Sequence, residues 1–132
     1  MKKKNNILVD MSVVIFHHGH VRLLKKAAKL GRVIVALTTD KEIIKFKKKK
    51  PILNYNQRKE IVSAIRYVSK VIPSPFLITE NFLKKNRINY LVHAGNNRNK
   101  VHRNKTITFK RTKNISATIM ISRIRNGKKY SS

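Results

Sequence analysis

The fold of this chain is decided by residues 7–31, which read ILVDMSVVIFHHGHVRLLKKAAKLG. Residues 7–14 are an apolar run rich in β-branched side chains, which is typical of a buried parallel strand. From residue 19 to 30 the apolar side chains recur at helical spacing, and Gly31 predicts the end of that helix. A buried strand that passes directly into a helix is the first part of a β-α-β unit.

The rest of the chain repeats this alternation of strand and helix. The pattern predicts further strands at 33–37, 68–72, 88–93 and 106–109, and helices from Asp40 and at 55–67, 79–85 and 115–124. Strands that alternate with helices form a parallel sheet covered on both faces. We therefore expect an α/β fold, a Rossmann-like parallel five-stranded sheet with helices on both faces, in which ligands bind beyond the carboxyl ends of the strands.

The whole chain, 1–132, is predicted to form one domain, because neither an internal repeat nor a Gly/Ser-rich linker divides it. Residues 1–6 are expected to be a basic tail and residues 126–132 a flexible C-terminal tail. A hydrophobic fraction of 41% is ordinary for a globular protein. No apolar run approaches the ~20 residues that span a membrane, and cysteine is absent, which excludes thiol chemistry. We expect a cytoplasmic protein that does not insert into membranes.

The charge is unusual: 32 Lys and Arg face only five Asp and Glu. Such an excess is typical of proteins that bind nucleic acid. The basic residues are spread along the chain, however, and Asn and Ile are also abundant. Lys, Asn and Ile are the residues that AT-rich codons favour, so mutational bias is the preferred explanation. Nonspecific attraction of polyanions is still expected.

The chemistry is expected where the first strand meets the first helix. His17 and His20 are three residues apart, so both imidazoles face one side of a helical start. Gly19 allows a phosphate to approach the backbone, and the N–H groups of a helix start favour an anion. Two histidines there can donate hydrogen bonds to phosphate oxygens that gain charge. The alternatives are a metal pair, which lacks further ligands nearby, or an incidental cluster.

A series of motifs in this chain resembles the cytidylyltransferase-like nucleotidyltransferases. The His17-His18-Gly19-His20 stretch is similar to their HxGH signature. Further similar segments follow in the family's order: Thr39-Asp40-Lys41-Glu42, Gln57-Arg58-Lys59, Ile65-Arg66-Tyr67-Val68, Val71-Ile72-Pro73, Leu91-Val92-His93, and Arg111-Thr112-Lys113-Asn114-Ile115-Ser116-Ala117-Thr118. The resemblance extends from about residue 7 to 125. It is greatest to ethanolamine-phosphate cytidylyltransferases, with glycerol-phosphate and choline-phosphate enzymes as near relatives.

This resemblance implies transfer of CMP from CTP to a phosphorylated alcohol, with release of pyrophosphate. By the family pattern, the catalytic residues are His17, His20, Lys45, Lys47 and Arg111. The implied nucleotide-binding residues are Asp10, Met11, Gly19, Arg58, Gly95, Asn96, Ser116 and Thr118. Arg66 and His93 are implied to bind the acceptor, although either arginine, Arg58 or Arg66, could instead be solvated or pair with Glu60. No protein metal site is expected; Mg²⁺ would arrive with the nucleotide phosphates.

Three acidic motifs of the family are replaced in this chain. The family's Gly-x-Phe-Asp is Met11-Ser12-Val13-Val14, its Gly-Asp-Asp is Gly95-Asn96-Asn97, and an acidic pair after Arg-Tyr-Val is Ser69-Lys70. A cationic aminoalcohol would be attracted by those carboxylates. Their loss favours a neutral polyol phosphate as acceptor.

Three other functions stay open from the sequence. The chain could be an inactive relative that still binds nucleotide, a nucleic-acid-binding protein that reuses the fold, or an enzyme that transfers AMP from ATP. Few aromatic side chains are available to stack bases, which argues against the second.

Asn114 replaces a family glycine, and asparagine is the residue that next best tolerates a left-handed backbone. By resemblance we expect a homodimer.

Overall fold

The structure is a computed structural model that describes residues 4–95 and 97–127. It contains five strands, β1 (Asn6–Met11), β2 (Arg32–Thr38), β3 (Lys70–Ser74), β4 (Tyr90–Ala94) and β5 (Thr106–Phe109). Its α-helices are α1 (His18–Ala28), α2 (Asp40–Lys47), α3 (Tyr55–Ser63), α4 (Glu80–Lys85) and α5 (Ala117–Asn126). One turn of 3₁₀-helix, Arg103–Lys105, precedes β5.

The strands form one parallel sheet in the order β3-β2-β1-β4-β5. β1 is the central strand: its Ile7 pairs with Val33 of β2 on one side and with Tyr90 of β4 on the other. The chain first extends the sheet through β2 and β3 and then returns to the other side of β1. The switch point therefore lies between β1 and β4, and ligands of such sheets bind beyond the strand ends there. The predicted Rossmann-like parallel five-stranded sheet is confirmed.

Two hydrophobic cores cover the two faces of the sheet. On the first face, Ile7 and Val9 of β1 pack with Leu24 and Ala27 of α1, and with Val62 of α3. On the second face, Leu8 of the same strand packs with a separate set that includes α4, namely Ile34, Ala36, Ile78, Leu83 and Leu91. Successive side chains of a strand point to opposite faces, so a continuous apolar run such as 7–9 is needed to bury both. Helices on both faces are thereby confirmed.

The first strand is shorter than predicted. It ends at Met11, not at residue 14, because Val13 has a φ of 54° and the chain turns there. A β-branched residue in the left-handed region is a strained backbone conformation. Val13 is nevertheless buried, so apolarity alone could not distinguish the turn from the strand.

The other differences concern the ends of elements. The helix predicted at 55–67 ends at Ser63, and the helical turn predicted from Asp40 is a full helix that extends to Lys47. The N-terminal tail is shorter than the predicted 1–6, because Asn6 belongs to β1. At the other terminus α5 continues to Asn126; residues 128–132 of the predicted tail lie outside the described part of the chain.

Gly31 allows the turn between α1 and β2 to approach the N-terminal segment. The backbone N–H of Arg32 donates to the carbonyl oxygen of Asn5 at 2.8 Å. A Cβ atom on Gly31 would lie 2.2 Å from that same carbonyl oxygen, which is closer than atoms can pack. Because the obstacle is backbone, a side chain at 31 would displace the start of β1.

We predict that Gly31→Ala lowers the free energy of unfolding by about 2 kcal/mol, the usual cost of overpacking a tight contact. Urea denaturation measures it. Lys29→Ala is the matched control, because Lys29 is exposed and lies at the end of α1, two residues before Gly31. It should change stability by less than about 0.5 kcal/mol. Equal stability of the two variants would contradict the close approach.

Candidate active site

A cleft opens at the carboxyl ends of the strands, at the switch point between β1 and β4. The predicted site residues that line it are Asp10, Met11, His17, Gly19, His20, Lys47, His93, Arg111 and Ser116. They come from five separate parts of the chain, and the sheet topology brings them together. The predicted residues Lys45, Arg58, Arg66, Gly95 and Thr118 do not line this cleft, and Asn96 lies outside the described residues.

The two histidines are held by the start of α1. His17 is the N-cap, and its Nδ1 accepts a hydrogen bond from the backbone N–H of Gly19 at 3.1 Å. His20 closes the motif, because its Nδ1 accepts from the backbone N–H of His17, also at 3.1 Å. The ring centroids are 4.0 Å apart, and Phe16 stacks on His20 at 5.2 Å. This reciprocal arrangement is a capping box in which imidazole replaces the usual hydroxyl and carboxylate.

These hydrogen bonds determine which nitrogen of each ring carries the proton. A nitrogen that accepts from a backbone N–H is unprotonated, so a neutral ring carries its proton on Nε2. Burial lowers the pKa of His20 to about 4, with a further lowering from His17. Burial and the neighbouring His18 also lower the pKa of His17. At neutral pH, both rings are uncharged and each has an Nε2–H to donate to a ligand.

Arg111 enters the cleft from the loop between β5 and α5. Gly95 makes room for it: Gly95 has a φ of 76°, and a Cβ there would lie 2.5 Å from the Nε of Arg111. The backbone N–H of Gly95 donates to the carbonyl of Phe109, two residues before Arg111. Gly95 therefore acts by supporting Arg111 and does not itself line the cleft.

The same loop ends at a helix cap. Asn114 has a φ of 62°, so the left-handed backbone expected at this position is confirmed. Ser116 is the N-cap of α5, and its hydroxyl accepts from the backbone N–H of Ile119 at 3.1 Å. Thr118 lies one residue inside the helix and is exposed, so the two side chains do not cap the helix together. The start of α5 thus faces the cleft beside the start of α1, with Ile115 close to Gly19.

Asp10 forms the floor of the cleft together with His93. These residues lie side by side near the carboxyl ends of β1 and β4, and Oδ1 of Asp10 is 2.8 Å from Nδ1 of His93. The other carboxylate oxygen, Oδ2, accepts from the side-chain amide of Asn99 at 3.0 Å. Both oxygens of the carboxylate are therefore already engaged by protein groups.

Of the two predicted catalytic lysines, only Lys47 lines the cleft. It is the last residue of α2, whereas Lys45 lies over the ring of Phe46 at 5.6 Å. The structure thus brings Lys47, and not Lys45, to the cleft. Phe46 stacks on Phe76 at 4.7 Å, and Glu42 accepts from the backbone N–H of Phe76, so α2 is attached to the loop after β3.

Arg58 is a buried structural cation, which corrects its prediction as a nucleotide-binding residue. Its side chain is 0% exposed and pairs with Asp40 at 2.6 Å, not with Glu60. The guanidinium also donates to three backbone carbonyls, those of Ser12, Thr38 and Leu53. Asp40 in turn accepts from the backbone N–H of Tyr55. Arg58 thus joins the ends of β1 and β2 to the segment that follows the four lysines at 47–50.

Arg66 does not belong to the cleft, which corrects its prediction as an acceptor-binding residue. It follows the end of α3 and precedes β3 by four residues, so it lies near the amino ends of the strands, opposite the cleft. Its guanidinium donates to the hydroxyl of Tyr67 at 2.8 Å. The role was implied by the family pattern alone, whereas a residue between a helix and the next parallel strand lies at the amino edge of the sheet.

Among residues 4–95 and 97–127, no group of three or more His, Cys, Asp and Glu side chains could hold a metal ion. The one carboxylate that lines the cleft, Asp10, is committed to His93 and Asn99. The side chains present therefore do not suit a resident metal. Mg²⁺ carried by a nucleotide, and a homodimer, stay predictions.

In the described part of the chain no helix is long and apolar enough to cross a membrane.

A family model described as Cytidylyltransferase-like matches residues 15–106, which is more than half of the chain. The chain belongs to the cytidylyltransferase-like family. The resemblance inferred from the motif series is thereby confirmed, and family membership supports a nucleotidyltransferase activity.

Relatives of this cytidylyltransferase-like chain show how far the similarity extends. It is 32% identical over 99 residues to an ethanolamine-phosphate cytidylyltransferase of Arabidopsis thaliana, covering 70% of this chain and 23% of that protein. It is 47% identical over 60 residues to a glycerol-3-phosphate cytidylyltransferase of Staphylococcus aureus, covering 45% of each. The chain thus spans less than half the length of these relatives. A solved lipopolysaccharide core biosynthesis protein of Thermoplasma volcanium shares the fold, with a TM-score of 0.69 at 17% identity, covering 83% of this chain and 98% of that one.

Sequence reasoning missed several residues that line the cleft of this cytidylyltransferase-like domain, among them Thr38, Phe76, Arg98 and Asn99. Thr38 ends a strand, and that position at the sheet's carboxyl edge could have identified it. Arg98 and Asn99 follow β4 in a segment where asparagines replace the family's acidic residues. Only the position of these two residues in the loop after β4 could have indicated that they line the cleft; their residue types could not.

The low pKa of His20 makes the stability of the domain depend on pH. The pKa is about 4 in the folded state, below its ordinary value of 6.5, so the unfolded chain binds the proton more readily. The stabilisation is therefore complete above about pH 6.5 and is lost as pH falls toward 4. Between pH 7.5 and 4.5 we expect His20 to account for a loss of about 2 kcal/mol in the free energy of unfolding. Urea denaturation of wild type and His20→Asn at both pH values checks this; equal losses would contradict it.

Removing Arg58 should unfold the end of the sheet that carries the cleft. We predict that Arg58→Met lowers the free energy of unfolding by about 3 kcal/mol, because three buried carbonyls and Asp40 lose their partner. Lys59→Met, an exposed change on the same helix, is the matched control and should be nearly neutral. Weaker nucleotide binding by Arg58→Met with unchanged stability would instead restore a direct binding role.

Proposed function

We propose that this chain is a cytidylyltransferase that transfers CMP from CTP to a phosphorylated alcohol and releases pyrophosphate. One observation carries the proposal: two neutral imidazoles, each with an Nε2–H available, lie at the start of α1 in the cleft that also contains Arg111 and Lys47. That set supplies hydrogen-bond donors and positive charge to a polyphosphate. It suits a direct transfer between two phosphates.

In the proposed reaction a phosphate oxygen of the acceptor attacks the α-phosphorus of CTP. The new P–O bond forms as the bond from the α-phosphorus to the bridging oxygen breaks, and pyrophosphate leaves with that oxygen. Negative charge increases on the α-phosphate and bridging oxygens, and positioned donors stabilise it. His17 and His20 are the donors proposed for these oxygens, while Arg111 and Lys47 balance the charge of the triphosphate.

The helix starts support the same placement of the triphosphate. The backbone N–H groups at the start of a helix attract an anion, and the starts of α1 and α5 both face the cleft. The N–H groups of Gly19 and Ile119 are used by the caps, and those of His20 and Met120 donate to the carbonyls of His17 and Ser116. The first N–H groups of each helix, at His18, Ala117 and Thr118, are therefore the ones proposed to bind phosphate oxygens. The neutral imidazoles of His17 and His20 add to these backbone donors, because each ring can donate its Nε2–H without first taking up a proton from solvent.

The test is pyrophosphate release in the presence of Mg²⁺, with CTP or ATP as donor and with glycerol phosphate, other polyol phosphates, phosphoethanolamine and phosphocholine as acceptors. We expect release with CTP and at least one acceptor. His17→Ala and His20→Ala should each lower kcat by about a hundred- to a thousandfold, the usual effect of losing one such donor. Thermal melting verifies that each variant is folded.

His18→Ala is the matched control, because His18 is exposed and does not line the cleft. Its activity should stay within about twofold of wild type. An equal loss in all three variants would show that the donors are misassigned. CTP binding without release for any acceptor would indicate an inactive nucleotide-binding relative, and release with ATP alone would indicate adenylyl transfer.

A further inference from the structure

The cleft has two walls that come from opposite faces of the sheet. One wall carries His17, His20 and Arg111 and adjoins the core of α1. The other, which we call the loop wall, consists of residues 75–79 after β3 and 97–100 after β4. Ile78 of this wall belongs to the second core, on the far face. If the polyphosphate of a nucleotide occupies the first wall, the loop wall remains for the second substrate.

The loop wall is a connected unit. The side-chain oxygen of Asn99 accepts from the backbone N–H of Ile78 at 2.6 Å, and the backbone N–H of Lys100 donates to the carbonyl of Ile78 at 3.0 Å. The amide of Asn99 also reaches Asp10 on the floor of the cleft. Arg98 is therefore followed directly by two residues that are attached to Ile78, and the first of them, Asn99, is also attached to Asp10. Such attachment reduces the freedom that a binding side chain loses when its ligand arrives.

Arg98 is the basic side chain of the loop wall that lines the cleft. It is exposed, and within residues 4–95 and 97–127 no ion pair involves it. A guanidinium presents paired donors that match two oxygens of a phosphate. Its charge is additional to Lys47 and Arg111, which the triphosphate would occupy.

A positively charged acceptor would enter a cleft with an excess of positive charge, because Lys47, Arg98 and Arg111 outnumber the one acid among its described lining residues. Asp10 is the only acidic residue among the described lining residues, and both of its oxygens are hydrogen-bonded by His93 and Asn99. An ammonium group would add like charge beside Arg98, and like charges in a partly enclosed site repel. Hydroxyl groups, in contrast, could use Asn99 or the exposed backbone of the loop wall.

We propose that Arg98 binds the phosphate of the acceptor alcohol and that the acceptor carries no positive charge. This inference rests on the proposed function, because it assigns the second substrate of that reaction. Arg98 is the specificity-determining residue: it fixes the acceptor phosphate on the loop wall, opposite the triphosphate, and disfavours an aminoalcohol.

Isothermal titration calorimetry tests the assignment without requiring turnover. Glycerol 3-phosphate and phosphoethanolamine are titrated into the full chain, with and without a CTP analogue whose α–β bridging oxygen is a methylene. We expect glycerol 3-phosphate to bind at least about tenfold more tightly than phosphoethanolamine, because the ammonium group of the latter adds positive charge to a cleft that already has an excess of it. Arg98→Gln should weaken glycerol 3-phosphate about tenfold and leave the Kd of the analogue unchanged.

Arg103→Gln is the matched control, since it removes the same charge from an exposed position nearby that does not line the cleft. It should change neither affinity by more than about twofold. Equal or tighter binding of phosphoethanolamine, equal losses in the two arginine variants, or a loss confined to the analogue would each overturn the assignment. Failure of the analogue to bind, with acceptor affinities that still depend on Arg98, would count against the proposed function and not against the Arg98 site.

Discussion

The architecture of the cleft depends on the buried guanidinium of Arg58. Ser12 follows the last residue of β1, and Thr38 is the last residue of β2, so their carbonyls lie at the carboxyl ends of the two strands. A buried carbonyl without a donor is costly. Arg58 donates to both, and to Leu53, from a side chain that is completely buried. Because Ser12 is held, the chain can turn sharply at Val13 in a strained conformation and bring His17 to the start of α1.

The same network connects the cleft to the helices around it. Asp40 is the first residue of α2 and binds both Arg58 and the backbone of Tyr55 at the start of α3. The helix that begins at Asp40 ends at Lys47 in the cleft, so the position of that lysine depends on an ion pair at the opposite end of its helix. Arg58 is a positioning residue in this arrangement: it holds the elements that carry the cleft residues and does not itself line the cleft.

Much of the fold could be predicted from the sequence, because each element has a simple local signal. The apolar run at 7–9 must bury both faces, which only a central parallel strand requires, and Gly31 ends the helix that follows. The end of β1 could not be predicted, since Val13 is apolar, β-branched and buried and yet has a left-handed backbone. The residue before it, Ser12, accepts a hydrogen bond from Arg58, which is 46 residues away in the chain, and local propensity does not reveal such a tertiary contact.

The candidate site was predicted where the motif itself determines geometry and was missed where the topology does. His17 and His20 are fixed by reciprocal caps over four residues, so their spacing was sufficient. Arg58 and Arg66 are both arginines near α3, and nothing local to them indicates that one is buried beneath the cleft while the other lies at the far end of the sheet. Arg98 was missed for the converse reason: it reaches the cleft only because Asn99 attaches its loop to Asp10 and Ile78.

The replaced acidic residues alter the electrostatics of the cleft in one consistent direction. Val14, which stands where the family has aspartate, lines the cleft and contributes no charge, and Asn99 uses its amide to occupy the one carboxylate that remains. A site with fewer carboxylates attracts anions more strongly and tolerates cations less. His17 and His20 would increase the positive charge further if they were protonated, but burial, and after it the neighbouring histidine, lowers the pKa of each. The cleft therefore separates two tasks: arginine and lysine supply the fixed charge, and the imidazoles supply directed hydrogen-bond donors.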